Sequence, residues 1–199
     1  MADMETGTSG ASAIFKAEHR AKLRDTIAAR SFRTGQFTLA SGKTSTLYFN
    51  LKPTMMTPVG AALGARALLA VALECDADYI SGLEMGAVPA IGAMAALGEE
   101  LGHPVATTFV RKSRKGHGTQ QLVEGLGPDE SLEGRNVLVI DDVATSGGSI
   151  LQAIKEVRAA GGVVTHAACL VDRQEGGSEL LAEHGVELHG IFTAADFTD

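Results

Sequence analysis

The sequence predicts an α/β protein with a parallel sheet covered by helices on both faces, and three observations carry that prediction. Strand and helix patterns alternate from residue 57 onward, the rhythm of strand–crossover–strand units. Val137–Ile140 holds no polar residue, as expected of a strand covered on both sides. The chain has 199 residues, 45% of them apolar. A single domain of that size buries about 70% of its unfolded surface without needing a disulfide or metal staple.

Taken in order, residues 1–13 read as a flexible tail with neither a basic start nor an apolar run, so no signal peptide is expected. Residues 14–199 form the domain. Ile14–Ser31 reads as an amphipathic helix with Leu23 and Ile27 on one face and Phe15 near it. Gln36–Leu39 and Thr46–Leu51 read as strands of a hairpin around the turn signal Ser41-Gly42-Lys43. Thr57 caps a helix that starts with Pro58 and runs to about Glu74. Then come a strand Tyr79–Gly82, a helix Ala87–Leu101, a strand Val105–Arg111 and the strand Val137–Ile140. A helix Ser149–Ala160, a strand Val163–Val171, a helix Ser178–His184 and a strand Glu187–Phe192 finish the chain. Open parallel sheets bind ligands beyond the C-terminal ends of their strands. The loops after Gly82, Arg111, Ile140 and Val171 are therefore the candidate site.

Seventeen Lys and Arg against 24 Asp and Glu give a net charge of −7. That balance argues against a general nucleic-acid binder, whose affinity rests on clustered cations. No apolar run reaches the ~18 residues of a membrane span. Cys75 and Cys169 cannot make a disulfide framework. They read as buried thiols of a reducing, cytoplasmic setting. The histidines at 19, 103, 166, 184 and 189 lack His-x-x-x-His or Glu-x-x-His spacing, so no direct protein metal site is expected.

After Ile140 the chain reads Asp141-Asp142-Val143-Ala144-Thr145-Ser146-Gly147-Gly148-Ser149. Hydroxyls and bare amides at a helix N-terminus attract an anion. Two aspartates beside that loop would repel a lone phosphate. They make sense if one ligand carries a phosphate for the loop and vicinal hydroxyls for the carboxylates, as a ribose 5-phosphate does. The plainer alternative is a strand end and a capped helix, with Asp142 and Ser146 satisfying only backbone groups. Ser41-Gly42-Lys43-Thr44 imitates the end of a P-loop, but the required glycine at position 37 is Phe37 and no helix follows. The run Arg111-Lys112-Ser113-Arg114-Lys115-Gly116-His117-Gly118 gathers four fixed cations and a histidine that Gly116 and Gly118 flank as hinges. Its continuation to Pro128 has little periodicity, which suits a functional lid.

Val137–Gly148 resembles the signature of the type I phosphoribosyltransferases, which bind 5-phosphoribosyl 1-pyrophosphate (PRPP). Arg111, Lys112, Lys115 and His117 are similar to the flexible loop of the orotate branch of that family. Asp172-Arg173-Gln174 resembles its pyrimidine-binding strand end, and Phe37–Asn50 its N-terminal hood. The resemblance implies a hood mainly in residues 14–52 and a core in 53–199. It implies an enzyme of UMP biosynthesis that joins orotate to PRPP, with Mg²⁺ held mainly by the substrate. It further implies a homodimer with the 111–118 loop shared between subunits. Lys115, His117, Asp141 and Asp142 are the implied catalytic residues. Arg111, Lys112, Lys115, His117 and residues Asp141, Asp142, Val143, Ala144, Thr145, Ser146, Gly147, Gly148 and Ser149 would take PRPP. Thr145, Arg173, Tyr48 and Phe49 would take orotate. Two positions depart from the family pattern: Ala40 and Met85 stand where many members carry lysine, and Lys43 or Lys52 is the expected substitute. A purine-type transferase and a PRPP-sensing regulator are the alternatives. The Asp172-Arg173-Gln174 strand end and the hood speak against the first, and the short, mixed-charge segment 1–31 against the second.

Overall fold

The chain enters the fold through α1 (Gly10–Ile14), where all but Ile14 is expected as tail and Ala11 is nevertheless buried, and α2 (Ala17–Ser31), the body of the expected helix. At 100° per residue, Ile14 and Leu23 would face opposite sides of one straight helix. Both are buried in the same core cluster, and the break at Phe15-Lys16 lets both reach it. The hairpin follows as β1 (Phe32–Thr38) and β2 (Thr44–Phe49), antiparallel, with Phe32 opposite Phe49 and an irregularity between Thr34 and Phe37. The computed structural model describes residues 10–38, 44–113 and 122–198, so the turn at 41–43 lies outside the described residues. A short α3 (Lys52–Met55) leads to α4 (Pro58–Glu74). As the sequence predicts, Pro58 opens α4, and the Thr57 hydroxyl accepts a hydrogen bond from the Gly60 amide at 3.1 Å.

The remaining elements are β3 (Tyr79–Ser81), α5 (Val88–Glu100), β4 (Ala106–Thr107), β5 (Phe109–Val110), β6 (Val123–Glu124) and β7 (Val137–Ala144). They are followed by α6 (Gly148–Ala159), β8 (His166–Asp172), α7 (Gly177–Ala182), β9 (Glu187–Thr193) and a 3₁₀ turn (Ala194–Phe197). Strands β4-β3-β7-β8-β9 form one sheet in that order, and every pair in it is parallel.

Two expectations need correcting. The strand expected over Val105–Arg111 is divided: β4 pairs with β3, while β5 pairs antiparallel with β6. Thr108 marks the change of partner. It is buried, its hydroxyl donates to Ser81 Oγ at 3.0 Å and its amide to Ile80 O. β7 does not stop at Ile140 but continues through the aspartates to Ala144, paired with β8 as far as Asp172. Sheet hydrogen bonds use the backbone, so they persist where the apolar pattern ends.

Side-chain alternation divides the core into two layers. Leu138, Ile140, Ala168 and Leu170 face α2, α4 and α5, burying Leu23, Ile27, Leu68 and Met94. Val137, Val139, Ala167 and Cys169 face α6, burying Ile150, Ile154 and Val157. Among the described residues, no helix is long and apolar enough to cross a membrane.

Gly60→Ala tests the corner between α3 and α4. A β-carbon there would lie 2.1 Å from the Thr54 carbonyl oxygen. The helix-propensity gain of about 1 kcal/mol is smaller than the cost of displacing backbone, so a net loss of roughly 1–3 kcal/mol is expected. A lower urea midpoint with an unchanged slope is the expected result, and a midpoint at or above wild type would refute the packing argument.

Candidate active site

The site begins where β7 delivers two adjacent carboxylates. Asp141 is 7% exposed. Its Oδ1 accepts from the Asp142 amide at 2.9 Å, and Asp142 Oδ1 accepts from the Val143 amide at 2.9 Å. These turns tie each carboxylate to the backbone beside it. Gly86 closes the space opposite: a β-carbon there would meet Asp141 Oδ1 at 2.6 Å and Asp142 Oδ1 at 2.8 Å. Gly82 lies equally close to the Ile140 carbonyl oxygen, 2.3 Å from a hypothetical β-carbon. The loop after β3 must therefore be nearly bare where it crosses β7. The Glu84–Met85 peptide in that loop is cis. Burial, then the neighbouring Asp142 charge, pushes the Asp141 carboxyl up to about 8; Lys52 pulls the other way.

Directly after the carboxylates, Val143–Ile150 wrap a pocket that Asp141 also lines. Gly147 sits at φ +77°, a left-handed conformation, and its missing β-carbon leaves room for the backbone of Gly177, 3.1 Å from where that carbon would be. Backbone against backbone fixes this bend, and α6 starts from it. The first amides of α6 have no acceptor within the helix and carry the positive end of its dipole. The pocket thus combines amide and hydroxyl donors with the Asp141 carboxylate.

A second pocket, of ≈ 240 Å³, is bordered by Tyr48, Phe49, Asn50, Lys52, Asp142, Val143, Thr145 and Arg173. Arg173 is 8% exposed. It donates to Ser45 Oγ at 2.9 Å and forms an ion pair with Glu175 at 2.5 Å. Among the described residues, its Nε nonetheless has no hydrogen-bond partner. A buried donor left unpaired costs on the order of 1–3 kcal/mol, which an acceptor on a ligand would recover. Tyr48 and Phe49 do not present their rings to one plane, as their pairing in the hood implied. Consecutive strand residues face opposite ways. Phe49 packs on Phe32 and Phe197, with ring centroids at 4.9 and 5.3 Å, whereas Tyr48 is exposed and stacks on Phe37 at 5.2 Å.

A third pocket, lined by Lys52, Glu84, Gly86, Lys112, Asp141, Asp142 and Ser149 among others, adjoins both. Lys52 borders two of the three. Lys112 reaches this pocket, with its amide donating to Glu84 Oε1 at 2.9 Å. Arg111 is turned elsewhere, its guanidinium 3.8 Å from Glu124. Lys115, His117, Ala40 and Lys43 lie outside the described residues, and Met85 is exposed. Ser45, Asn50 and Glu84 are site-lining residues that the sequence does not single out. A lone serine in a strand gives no signal of the arginine it will hold 128 residues away.

The Phosphoribosyl transferase domain family matches residues 67–186. An orotate phosphoribosyltransferase of Rhodopseudomonas palustris (strain BisB18) is 48% identical over 182 residues, 92% of this chain and 97% of the relative. Among solved structures, the orotate phosphoribosyltransferase of Mycobacterium tuberculosis H37Rv in complex with Fe(III) dicitrate superposes with a TM-score of 0.76. Its identity to this chain is 31%, covering 91% of this chain and 99% of that one. The same enzyme in complex with PRPP gives a TM-score of 0.73 at 28% identity, covering 90% and 98%.

Asp141→Asn separates stability from function. Between about pH 4 and pH 8 the folded chain keeps a proton on Asp141 that the unfolded chain has lost, because burial raises the folded value to about 8. Stability therefore falls as pH rises through that window, with the full cost present above it. The asparagine should raise Tm little at pH 4 and by roughly 2–8 °C at pH 8, for a gain on the order of 1–2 kcal/mol. A Tm difference independent of pH would contradict the assignment.

Proposed function

The chain belongs to the orotate phosphoribosyltransferase family, and from that membership we propose how its residues divide the work of the reaction. Orotate and PRPP give orotidine 5′-monophosphate and pyrophosphate, a step of UMP biosynthesis. The observation that carries the assignment of residues is the shared lining at the end of β7. Asp141 borders both the amide-lined pocket of residues 143–150 and the pocket holding Lys52 and Lys112. One ligand with a phosphate at one end and a pyrophosphate at the other, joined by a sugar, matches that layout.

In this reading, Thr145, Ser146, Gly147, Gly148 and Ser149 hold the 5-phosphate with hydroxyls and amides, and Val143 and Ala144 shape the strand end leading into them. Asp141 and Asp142 accept hydrogen bonds from the ribose hydroxyls. The bond from C1 to the pyrophosphate oxygen breaks, with its electron pair leaving on the pyrophosphate. The orotate ring nitrogen releases its proton to solvent and supplies the pair that forms the new bond to C1. Positive charge develops on the sugar in between; it favours the ionised form of Asp141, and that carboxylate together with Asp142 stabilises it in turn. Lys52 and Lys112, with Lys115 and His117 of the basic loop, take up the charge on the departing pyrophosphate. Arg111 contributes by holding the base of that loop to Glu124.

Orotate carries a carboxylate and carbonyl oxygens, acceptors that match the Arg173 fork and its unpaired Nε. Thr145 and Tyr48 border the same pocket, and Phe49 anchors the strand that carries Tyr48. Holding the ring nitrogen against C1 is an orientation effect worth several kcal/mol. Asp141, Asp142 and Glu84 border one pocket, so a carboxylate oxygen there could complete the shell of a Mg²⁺ ion that the substrate brings, hard oxygen donors being what that ion takes. When bound with the substrate, held mainly by its oxygens, Mg²⁺ neutralises phosphate charge. The reading also includes a hood over residues 14–52, a homodimer sharing the 111–118 loop between subunits, and a cytoplasmic location. All three follow from the family resemblance.

Two measurements test this reading. Following the fall in orotate absorbance on adding PRPP and Mg²⁺ should show turnover with orotate and none with adenine or hypoxanthine; the reverse preference would overturn it. Arg173→Lys keeps the charge but loses the planar fork. It should raise KM for orotate by about tenfold or more while leaving KM for PRPP within about twofold, the split expected when one substrate's contact is removed. Equal effects on both substrates would remove Arg173 from the orotate site.

A further inference from the structure

At the opposite end of the sheet, three side chains from separate elements converge. His166 opens β8, His189 lies in β9, and Cys75 follows the last residue of α4. His189 pairs in register with Ala168, so it shares a sheet face with His166, the face that α4 covers. His166 Nδ1 lies 3.0 Å from His189 Nε2, and Cys75 Sγ lies 3.9 Å from the same Nε2. All three potential ligand atoms fall within 4.8 Å of one another, and each residue is half-buried. His166 and Asp172 stand at the two ends of β8. At ~3.3 Å per residue, the cluster is some 20 Å from the strand end that carries Arg173.

We propose that Cys75, His166 and His189 form a site for one zinc-type divalent ion, with Glu187 as the adjoining carboxylate. Tetrahedral zinc takes nitrogen ligands at about 2.0–2.1 Å and sulfur at about 2.3 Å, which places ligand atoms roughly 3.3–3.7 Å apart. The separations of 3.0 and 3.9 Å need shifts of only a few tenths of an ångström. Glu187 Oε2 is 3.8 Å from His166 Nδ1, near enough to supply a fourth atom. A thiolate, two imidazoles and a carboxylate are borderline-soft donors that suit zinc better than magnesium.

The surroundings favour a cation. Cys75 sits at the C-terminal end of α4, the negative end of its dipole. Burial, then the carboxylates of Glu74, Glu187 and Asp76, push the Cys75 thiol up; the same negative field attracts a dication. The Asn136 side chain donates to the Cys75 and Asp76 carbonyls at 2.7 and 2.9 Å, fixing the turn that aims the thiol. Binding exchanges the imidazole–imidazole hydrogen bond for two metal–nitrogen bonds. It also releases the thiol proton to solvent as the sulfur becomes a thiolate ligand. The expectation of scattered histidines came from the spacing in sequence; here the ligands come from elements 114 and 23 residues apart.

The test uses the full chain, stripped with a chelator and titrated with ZnCl₂ and with CoCl₂. Wild type should bind one equivalent, with a thiolate-to-cobalt charge-transfer band in the near ultraviolet and tetrahedral bands in the visible. Zn²⁺ should raise its Tm. Cys75→Ser should abolish the charge-transfer band, and His189→Gln should weaken Zn²⁺ binding by about tenfold or more. Both variants should keep orotate turnover, which also shows that they fold. Cobalt bound without the charge-transfer band, or equal Zn²⁺ affinity in wild type and Cys75→Ser, would overturn the proposal.

Discussion

Everything in the site depends on two adjacent carboxylates held at the end of a buried parallel strand. β7 does not end where its apolar run ends. It stays hydrogen-bonded to β8 through Asp141, Val143 and Ala144, so the aspartates are fixed by the sheet rather than carried on a free loop. Burial makes that fixing costly, and the raised Asp141 carboxyl is the physical sign of the cost. A cationic or hydroxyl-rich partner offsets it. A site of this kind is destabilised without its ligand and pre-organised for a transition state in which positive charge appears.

Close backbone packing is the second constraint. Gly82 and Gly86 let the loop after β3 lie against β7, and Gly147 with Gly177 lets the phosphate bend rest on the start of α7. These contacts join the carboxylates, the amide bend and the acceptor strand into one rigid rim. The hairpin is tied to the same rim through Arg173 and Ser45. Its aromatic base (Phe32, Phe49 and Phe197) is packed into the core beside Phe192. Any ligand that engages Arg173 would thereby be coupled to the position of the hairpin.

Much of this was legible in the residues themselves. Helix α4 was readable from Thr57-Pro58, because capping chemistry is local. The parallel sheet was readable from uninterrupted apolar strands, and the glycine bend before α6 from Thr-Ser-Gly-Gly after a strand. The β-strand through Asp141–Ala144 was not, because backbone pairing leaves no hydrophobic pattern there. Neither were β5 and β6, two residues each, or the division of α1 from α2, which is set by packing. Side-chain facing misled at Tyr48-Phe49: the pair reads as one aromatic unit, but the pleat divides it. Long-range partners such as Ser45 with Arg173, or Cys75 with His166 and His189, exist only after the chain has folded.

The central claim is that the carboxylate pair and the amide bend grip one activated sugar from two ends. A crystal structure with PRPP and Mg²⁺ measures it directly. The ribose hydroxyls should lie within about 3 Å of Asp141 and Asp142, at hydrogen-bond distance, with the 5-phosphate on the amides of residues 145–149. A 5-phosphate seated on the basic loop, with both carboxylates out of reach of the sugar, would contradict the account.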